Sequence, residues 1–405
     1  MTSRPLHAHV AAAGPQLLTH LAAALDGTGP ALLVVSPDLP AARVRAVLEA
    51  MRPAAAHTPD GLRRLPGAVG VDPEVAAVVA TSGSTGPPKG VELTAAALKH
   101  SARASLDRLG ARPGEPWLCA LPADHIAGLQ VLVRCLLAGA APVFQRRLDL
   151  DAALAAGARH ASLVPTQLHR LTEAGADLSG LASIVVGGAA APPALLQRAR
   201  ALGATLTTTY GMTETCGGCV YDGTPLDGVR VAVHTGAPAD PPTELTPRAP
   251  DTPLGTVLLG GPVLFSGYRL RPDLTAAHRD GPWLRTADLG ALQAGRLAVA
   301  GRSDDVITTG GRKVAAGQVA AALAAHPRVA EVAVVGRPDP EWGQRVTAVV
   351  VPRGPPPTLT ELREHTAATL PRYAAPRELE LRDALPLLPS GKPDLAALRR
   401  TPRPA

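Results

Sequence analysis

Short apolar runs bounded by glycine and proline alternate along this chain with stretches in which apolar residues recur every third or fourth position. Residues 75–80, 117–121, 162–164, 183–186 and 205–209 read as strands, and residues 127–138 and 192–202 as helices. Alternation of this kind from 75 to 299 predicts parallel sheets with crossover helices. Ahead of it, helical patterns at 15–25 and 40–51 flank a strand at 31–35, a compact α/β entry segment. Between 231 and 261 short strands punctuated by Pro, Thr and Gly predict a small β subdomain. After Gly301-Arg302-Ser303-Asp304-Asp305 come a helix at 315–325, strands at 329–335 and 345–351, a helix at 360–370 and a terminal loop. The predicted fold class is α/β: a large N-terminal domain over 1–302, rich in parallel sheet and carrying the β subdomain, then a small α+β domain over 303–405.

Composition narrows the function. With 405 residues and 46% hydrophobic content the chain can bury the cores of two or three domains. The net charge of +6 invites nucleic acid, but the arginines are scattered and aromatics make up only 2%, too few to stack bases, so no nucleic-acid partner is expected. Polar residues break every apolar run before it reaches the length of a membrane span, and His7, His9, Gln16 and His20 spoil a signal peptide. No membrane insertion is expected. Cys216-Gly-Gly-Cys219 has redox or zinc spacing, yet Cys119 and Cys135 make no second close pair, so reduced thiols and a cytoplasmic location are expected. Basic residues are almost all arginine; only Lys89, Lys99, Lys313 and Lys392 are lysines. A lysine is a compact, flexible point charge, which makes these four candidates for function, with Lys99 the one read as a solvated surface residue.

Thr81, Ser82, Gly83, Ser84, Thr85 and Gly86, followed by Pro-Pro-Lys89-Gly, form a loop fed by a strand. Glycines clear side chains from the turn, so successive N–H groups can curl around an anion. The loop is not a nucleoside-triphosphatase P-loop. Counting from Gly83, Pro88 falls where the second glycine belongs and Gly90 where the hydroxyl belongs. A plain glycine-serine linker is the alternative, though Lys89 between Pro-Pro and Gly is an odd linker residue.

Four further motifs carry chemistry. In Tyr210-Gly211-Met212-Thr213-Glu214, Tyr210 offers a flat face to a purine, Thr213 a hydroxyl to phosphate and Glu214 a hard oxygen to Mg²⁺. Core packing for Tyr210 and a helix-start carboxylate for Glu214 are the plainer alternatives. Asp288 closes the apolar stretch Trp283-Leu284-Arg285-Thr286-Ala287, where it can accept from ribose hydroxyls. Arg302 supplies a guanidinium that can fork onto ribose or phosphate. Ser390-Gly391-Lys392 puts a lysine on a loop between prolines, and standing alone it would read as a solvated tail.

The order of these motifs over residues 81–393 resembles the acyl-adenylate-forming superfamily of acyl-CoA synthetases, luciferases and peptide-synthetase adenylation domains. A finer resemblance, to the short actinobacterial o-succinylbenzoyl-CoA synthetases of menaquinone biosynthesis, rests on residues 121–134, on Val164-Pro165-Thr166-Gln167-Leu168 and on residues 216–228. The resemblance implies that an aryl carboxylic acid attacks the α-phosphate of ATP, and that CoA then displaces AMP. It implies that Lys392 bridges the acid and the α-phosphate, the loop from Thr81 to Lys89 holds the outer phosphates, and Glu214 holds Mg²⁺. Gly187, Gly188 and Ala189 together with Tyr210 would frame adenine, Gly187 also bordering the acid, while Asp288 and Arg302 would hold the ribose. It places His125 beside the acyl pocket with a part in catalysis, and Arg134 opposite a second carboxylate. Arg134 is notable without it, because an unpaired guanidinium is costly within an apolar helix. Asp304 would be the hinge on which the small domain swings, and Gly310 and Gly311 would line the CoA tunnel. Ala287 departs from the superfamily, which has glycine there, and the shortened N-terminal portion removes part of the acyl-pocket wall. A homodimer is left open. Two other readings are an adenylation enzyme that loads an aryl or amino acid onto a carrier protein, and a catalytically dead nucleotide-binding protein. The amino-acid version lacks a clear acidic grip between residues 187 and 193, and the dead version leaves Lys392 without a purpose.

Overall fold

A computed structural model describes residues 3–81, 88–237, 240–387 and 393–400. The expected α/β architecture is present as four sheets. In the first, seven strands run in the order Gly267–Tyr268, Lys89–Thr94, Val75–Thr81, Ala31–Val34, Leu6–His9, Ala55–Thr58, Gly61–Arg64. The second also has seven: Thr224–Pro225, Gly217–Tyr221, Leu206–Met212, Ser183–Val186, His160–Leu163, Trp117–Cys119, Val143–Phe144. Strands from Arg230 to Arg302 build a third, antiparallel sheet of six strands. The fourth holds five strands between Val306 and Leu381.

The parallel expectation holds for the middle of the second sheet, where Trp117–Cys119, His160–Leu163, Ser183–Val186 and Leu206–Met212 pair in parallel. The side chains of the first three are almost wholly buried, as parallel strands covered on both faces require, whereas those of Leu206–Met212 are half-buried. Helices join them. Pro165–Glu173 starts with Pro165 in its first turn, where a missing N–H costs nothing, and the Gln167 side chain accepts from Val164 N at 3.1 Å while donating to Ala120 O at 3.1 Å. Helix Ala95–Leu109 is capped as its sequence predicts: Thr94 Oγ1 accepts from Ala97 N at 3.1 Å, a contact worth about 1 kcal/mol.

Several short elements escape the sequence pattern. Leu6–His9 is a strand, with Leu6 and Ala8 in the core on one face and His7 and His9 on the other. The terminal loop contains the strand Glu378–Leu381 and the helix Leu395–Arg399. Cys216 and Cys219 are fully buried, and burial pushes the Cys219 thiol up to about 12, so the pair carries unreactive thiols in the folded protein.

The histidines of the first sheet form a cluster with His20 of helix Pro15–Leu25. His7 Nδ1 lies 3.2 Å from His57 Nε2, His9 Nδ1 lies 3.3 Å from His20 Nδ1, and the rings of His20 and His57 are 4.3 Å apart. Burial first, then the neighbouring imidazoles, lower the pKa of His7, His9 and His20; His9 falls to about 4. Because the unfolded chain takes up protons near pH 6.5 and the folded one does not, stability should fall as pH drops from about 6.5 towards 4. Urea midpoints at pH 7.5 and 5.5 should therefore differ more for the native chain than for His20→Gln. Equal differences would show that the cluster is not the source.

Candidate active site

Three segments that carry expected site residues, and the Val164 segment between them, leave the carboxyl ends of adjacent parallel strands in the second sheet. His125 follows Trp117–Cys119, Val164 follows His160–Leu163, Gly187 to Ala189 follow Ser183–Val186, and Tyr210 to Glu214 close Leu206–Met212. Open α/β sheets bind ligands at this edge. Gly187 N donates to Leu163 O at 3.1 Å, and a Cβ on Gly187 would lie 3.4 Å from Thr209 Oγ1, so the three central segments are in contact. Gly211 sits at a bulge opposite the next strand, where a Cβ would meet Gly217 O at 2.0 Å. Only glycine fits there, and the bulge turns the chain into the short 3-10 turn Thr213–Thr215.

Tyr210 and Asp288 come together across 78 residues: the Tyr210 hydroxyl donates to Asp288 Oδ2 at 2.7 Å. Burial and then the Asp288 charge raise the Tyr210 pKa, so the phenol stays a donor. Asp288 lies in the strand Trp283–Gln293, in register with Arg302 of Arg296–Arg302, and Arg302 Nη1 is 3.9 Å from Asp288 Oδ1. The fork of Arg302 points elsewhere. Its Nε and Nη2 donate to Asp304 Oδ1 and Oδ2 at 2.8 and 3.0 Å, and that hydrogen-bonded pair raises the Arg302 pKa. Burial works against ionising Asp304, but Arg302 outweighs it and holds the carboxyl below its usual range. Ala287 is exposed within its strand and has no left-handed backbone, so the methyl in place of glycine meets no obstacle.

Glu214 accepts from the Tyr268 hydroxyl at 2.7 Å, and Phe265 N donates to Glu214 O at 2.8 Å. Tyr268 lies on the strand that pairs with Lys89–Thr94, the strand leaving the phosphate loop. Thr81 and Lys89 face each other at the base of that loop, with Thr81 Oγ1 donating to Lys89 O at 3.2 Å. Ser82, Gly83, Ser84, Thr85 and Gly86 lie outside the described residues, as does Lys392. On either side of the Lys392 segment, Leu387 and Pro393 form an antiparallel bridge and Asp394 N donates to Pro386 O at 2.8 Å, closing the neck of that loop.

His125 is exposed at the start of helix Ile126–Ala138. The same helix end reaches the Glu214 turn, because a Cβ on Gly217 would lie 3.6 Å from Gln130 Cγ and 3.7 Å from Ile126 Cγ1. Arg134 is not beside His125; nine residues further along, it sits about 13 Å down the helix. It is 6% exposed, its guanidinium carbon is 4.6 Å from the centre of the Trp117 ring, and Nη1 donates to Ser162 Oγ at 3.0 Å. Its Nε is buried without a partner, and burial lowers its pKa. Ser162 precedes Leu163, whose carbonyl accepts from Gly187 N, so Arg134 touches the strand that holds the segment expected to border the acid.

Gly310 and Gly311 form a tight turn with φ of 53° and 73° between Val306–Thr309 and Arg312–Ala315. Beside Gly311 no described residue lies within 4 Å, but a Cβ on Gly310 would meet the Trp342 ring at 2.8 Å. Trp342 therefore packs against Gly310 and is itself covered by Arg377, 3.7 Å from its ring centre. Sequence reading missed Trp342 and Tyr268. Both act through contacts far apart in the chain, and the scarcity of aromatic residues is the one signal that pointed to them.

Residues 66–269 match the family of AMP-binding enzymes, and residues 318–392 match the AMP-binding enzyme C-terminal domain. The chain is 44% identical over 421 aligned positions to a probable 2-succinylbenzoate–CoA ligase of Mycobacterium tuberculosis, covering 98% of each. It is 32% identical to the 2-succinylbenzoate–CoA ligase of Bacillus subtilis, over 78% of this chain and 67% of the relative. Among solved structures it resembles the o-succinylbenzoate CoA synthetase of Bacillus subtilis in complex with the acyl-adenylate OSB-AMP, with a TM-score of 0.82 and 25% identity, covering 98% and 89% of the two chains. It also resembles the amide bond synthetase McbA of Marinactinospora thermotolerans, with a TM-score of 0.85 and 26% identity, covering 98% and 90%.

Proposed function

The chain belongs to the AMP-binding enzyme family, and from that premise we propose that it is an ATP-dependent ligase converting o-succinylbenzoate to o-succinylbenzoyl-CoA in menaquinone biosynthesis, in the cytoplasm. The observation that carries the choice of acid is Arg134, a buried cation that faces no carboxylate and has an unpartnered Nε among the described residues. A guanidinium in that state is expensive, and an anionic group of the substrate relieves the cost. o-Succinylbenzoate has two carboxylates: one reacts and the other meets Arg134.

In the first half-reaction a carboxylate oxygen attacks the α-phosphorus of ATP, and pyrophosphate leaves. Nucleophile and target are both anionic, so the site must cancel charge as they approach. Lys392 supplies a positive charge between them. Lys89 and the loop that it closes steady the leaving pyrophosphate. Tyr210 and residues 187–189 frame the adenine, and Asp288, oriented by the Tyr210 hydroxyl, keeps lone pairs for the ribose hydroxyls. Glu214 fits a magnesium ion, which favours one or two carboxylates together with substrate phosphates, and the ion would neutralise phosphate charge. In the second half-reaction the CoA thiolate attacks the acyl carbon, and the C–O bond to AMP breaks.

The two halves need different groups, so we take residues 303–405 as a domain that turns about Asp304. Arg302 on one side of that hinge is forked to Asp304 itself, so nucleotide binding at Arg302 and rotation at Asp304 draw on the same ion pair. Proline at 304 fixes φ near −65° and removes the partner of Arg302. Asp304→Pro should leave one half-reaction running and abolish the other, measured separately as pyrophosphate release and as thioester formation from supplied acyl-adenylate. Survival of both would remove the hinge from Asp304.

Pyrophosphate release tests the function as a whole. o-Succinylbenzoate with ATP should release it without CoA, and added CoA should yield the thioester, identified by mass. Failure of every aryl acid to release pyrophosphate would overturn the reading, and thioester on a carrier protein but not on CoA would change the acceptor.

A further inference from the structure

The chain has four tyrosines, and two of them donate their hydroxyls to carboxylates of the candidate site: Tyr210 to Asp288 and Tyr268 to Glu214, each at 2.7 Å. Tyr210 belongs to a site motif. Tyr268 belongs to none, and it is 7% exposed, so neither solvent nor surface chemistry accounts for its hydroxyl.

We propose that Tyr268 is the positioning residue that aims the Glu214 carboxylate at the metal–phosphate group of the nucleotide, an inference that rests on Glu214 being the metal carboxylate. Three features support it. The ring cannot swing, because Phe265 and His278 meet it edge-on at centroid distances of 4.9 and 5.3 Å. The backbone cannot drift either: Tyr268 N donates to Thr275 Oγ1 at 2.8 Å, and Tyr268 pairs with Val91. Finally, the segment ties the two phosphate-facing elements to each other. Phe265 N holds Glu214 O at 2.8 Å, Ser266 N holds Glu92 O at 2.9 Å, and Arg269 N holds Gly90 O at 2.8 Å, next to Lys89. Glu214 and the strand leaving the phosphate loop are thus locked to one five-residue stretch, and the Tyr268 hydroxyl is the part of it that reaches the carboxylate.

The bond occupies one lone pair of Oε1 and leaves Oε2 and the remaining lone pairs for a cation. Burial and the Glu214 charge raise the Tyr268 pKa, so the phenol remains a donor at any working pH. A carboxylate held by a fixed donor loses little freedom when it takes up a metal, which is how outer hydrogen bonds tune metal affinity.

Tyr268→Phe removes one oxygen and keeps the ring packing. By titration calorimetry it should bind ATP in the presence of Mg²⁺ about tenfold or more weakly than the native chain. ATP binding in EDTA, the melting temperature of the free protein and the KM for the acid should stay unchanged. Glu214→Gln should lose the same Mg²⁺-dependent part of binding, and the double variant should be no weaker than Glu214→Gln alone. Native Mg²⁺-dependent binding in Tyr268→Phe alongside a defect in Glu214→Gln would overturn the role of Tyr268 and leave Glu214 in place. Native binding in Glu214→Gln would overturn the metal carboxylate and the inference with it. Equal weakening with and without Mg²⁺ would make Tyr268 a general packing residue and also overturn the proposal.

Discussion

Lys392→Ala should slow pyrophosphate release by about 100-fold or more, roughly 3 kcal/mol of transition-state stabilisation, while sparing thioester formation from supplied acyl-adenylate. The asymmetry follows from charge. In the first half-reaction two anions approach, and a preorganised cation between them is worth most at the transition state. In the second a thiolate attacks an acyl carbon whose leaving group is already a good one, and the lysine has no charge left to cancel. Rapid-quench measurement of each half-reaction separates the two. An equal loss in both would mean that the substitution disturbs the small domain, and loss in the second alone would reverse the assignment.

Arg134→Met should raise the KM for o-succinylbenzoate about 30-fold or more, some 2 kcal/mol, with the KM for ATP near its native value. The same substitution should leave the melting temperature unchanged or raise it. Arg134 is 6% exposed, and among the described residues its guanidinium has one neutral acceptor and the Trp117 face and leaves Nε unpaired. Replacing such a cation by an apolar side chain of similar length removes a desolvation cost. A substrate-binding role and a structural role therefore predict opposite stability changes. Equal increases in KM for acid and ATP, or a marked loss of stability, would take Arg134 out of the acid site.

What could be read from the sequence was local. Helix Pro15–Leu25 and strand Ser183–Val186 have the bounds that their periodicity predicts, and Thr94 caps the helix after it as its hydroxyl and position suggest. Three or four residues are too few for periodicity to speak, so Leu6–His9 was lost among histidines that looked only like interruptions of an apolar run. The candidate site divides in the same way. Tyr210, Glu214, Asp288 and Arg302 announce themselves because each sits in a run of residues with related chemistry. Their pairings do not, since Tyr268 meets Glu214 across 54 residues and Tyr210 meets Asp288 across 78. Gly310 shows the limit from another side. A glycine tells that something needs its space, and the occupant proved to be Trp342. Arg302 likewise forks to Asp304 two residues away, a pairing written in the sequence but masked by the expectation that the arginine faces ribose.

A carboxylate oxygen of the acid that bonds to the α-phosphorus of ATP must stay with AMP when CoA displaces it. The native protein is given o-succinylbenzoate labelled with ¹⁸O in its carboxylates, with ATP, Mg²⁺ and CoA, and the products are weighed. AMP should carry one ¹⁸O atom and the thioester should have lost one. Unlabelled AMP, or ADP and labelled phosphate in place of AMP and pyrophosphate, would contradict it.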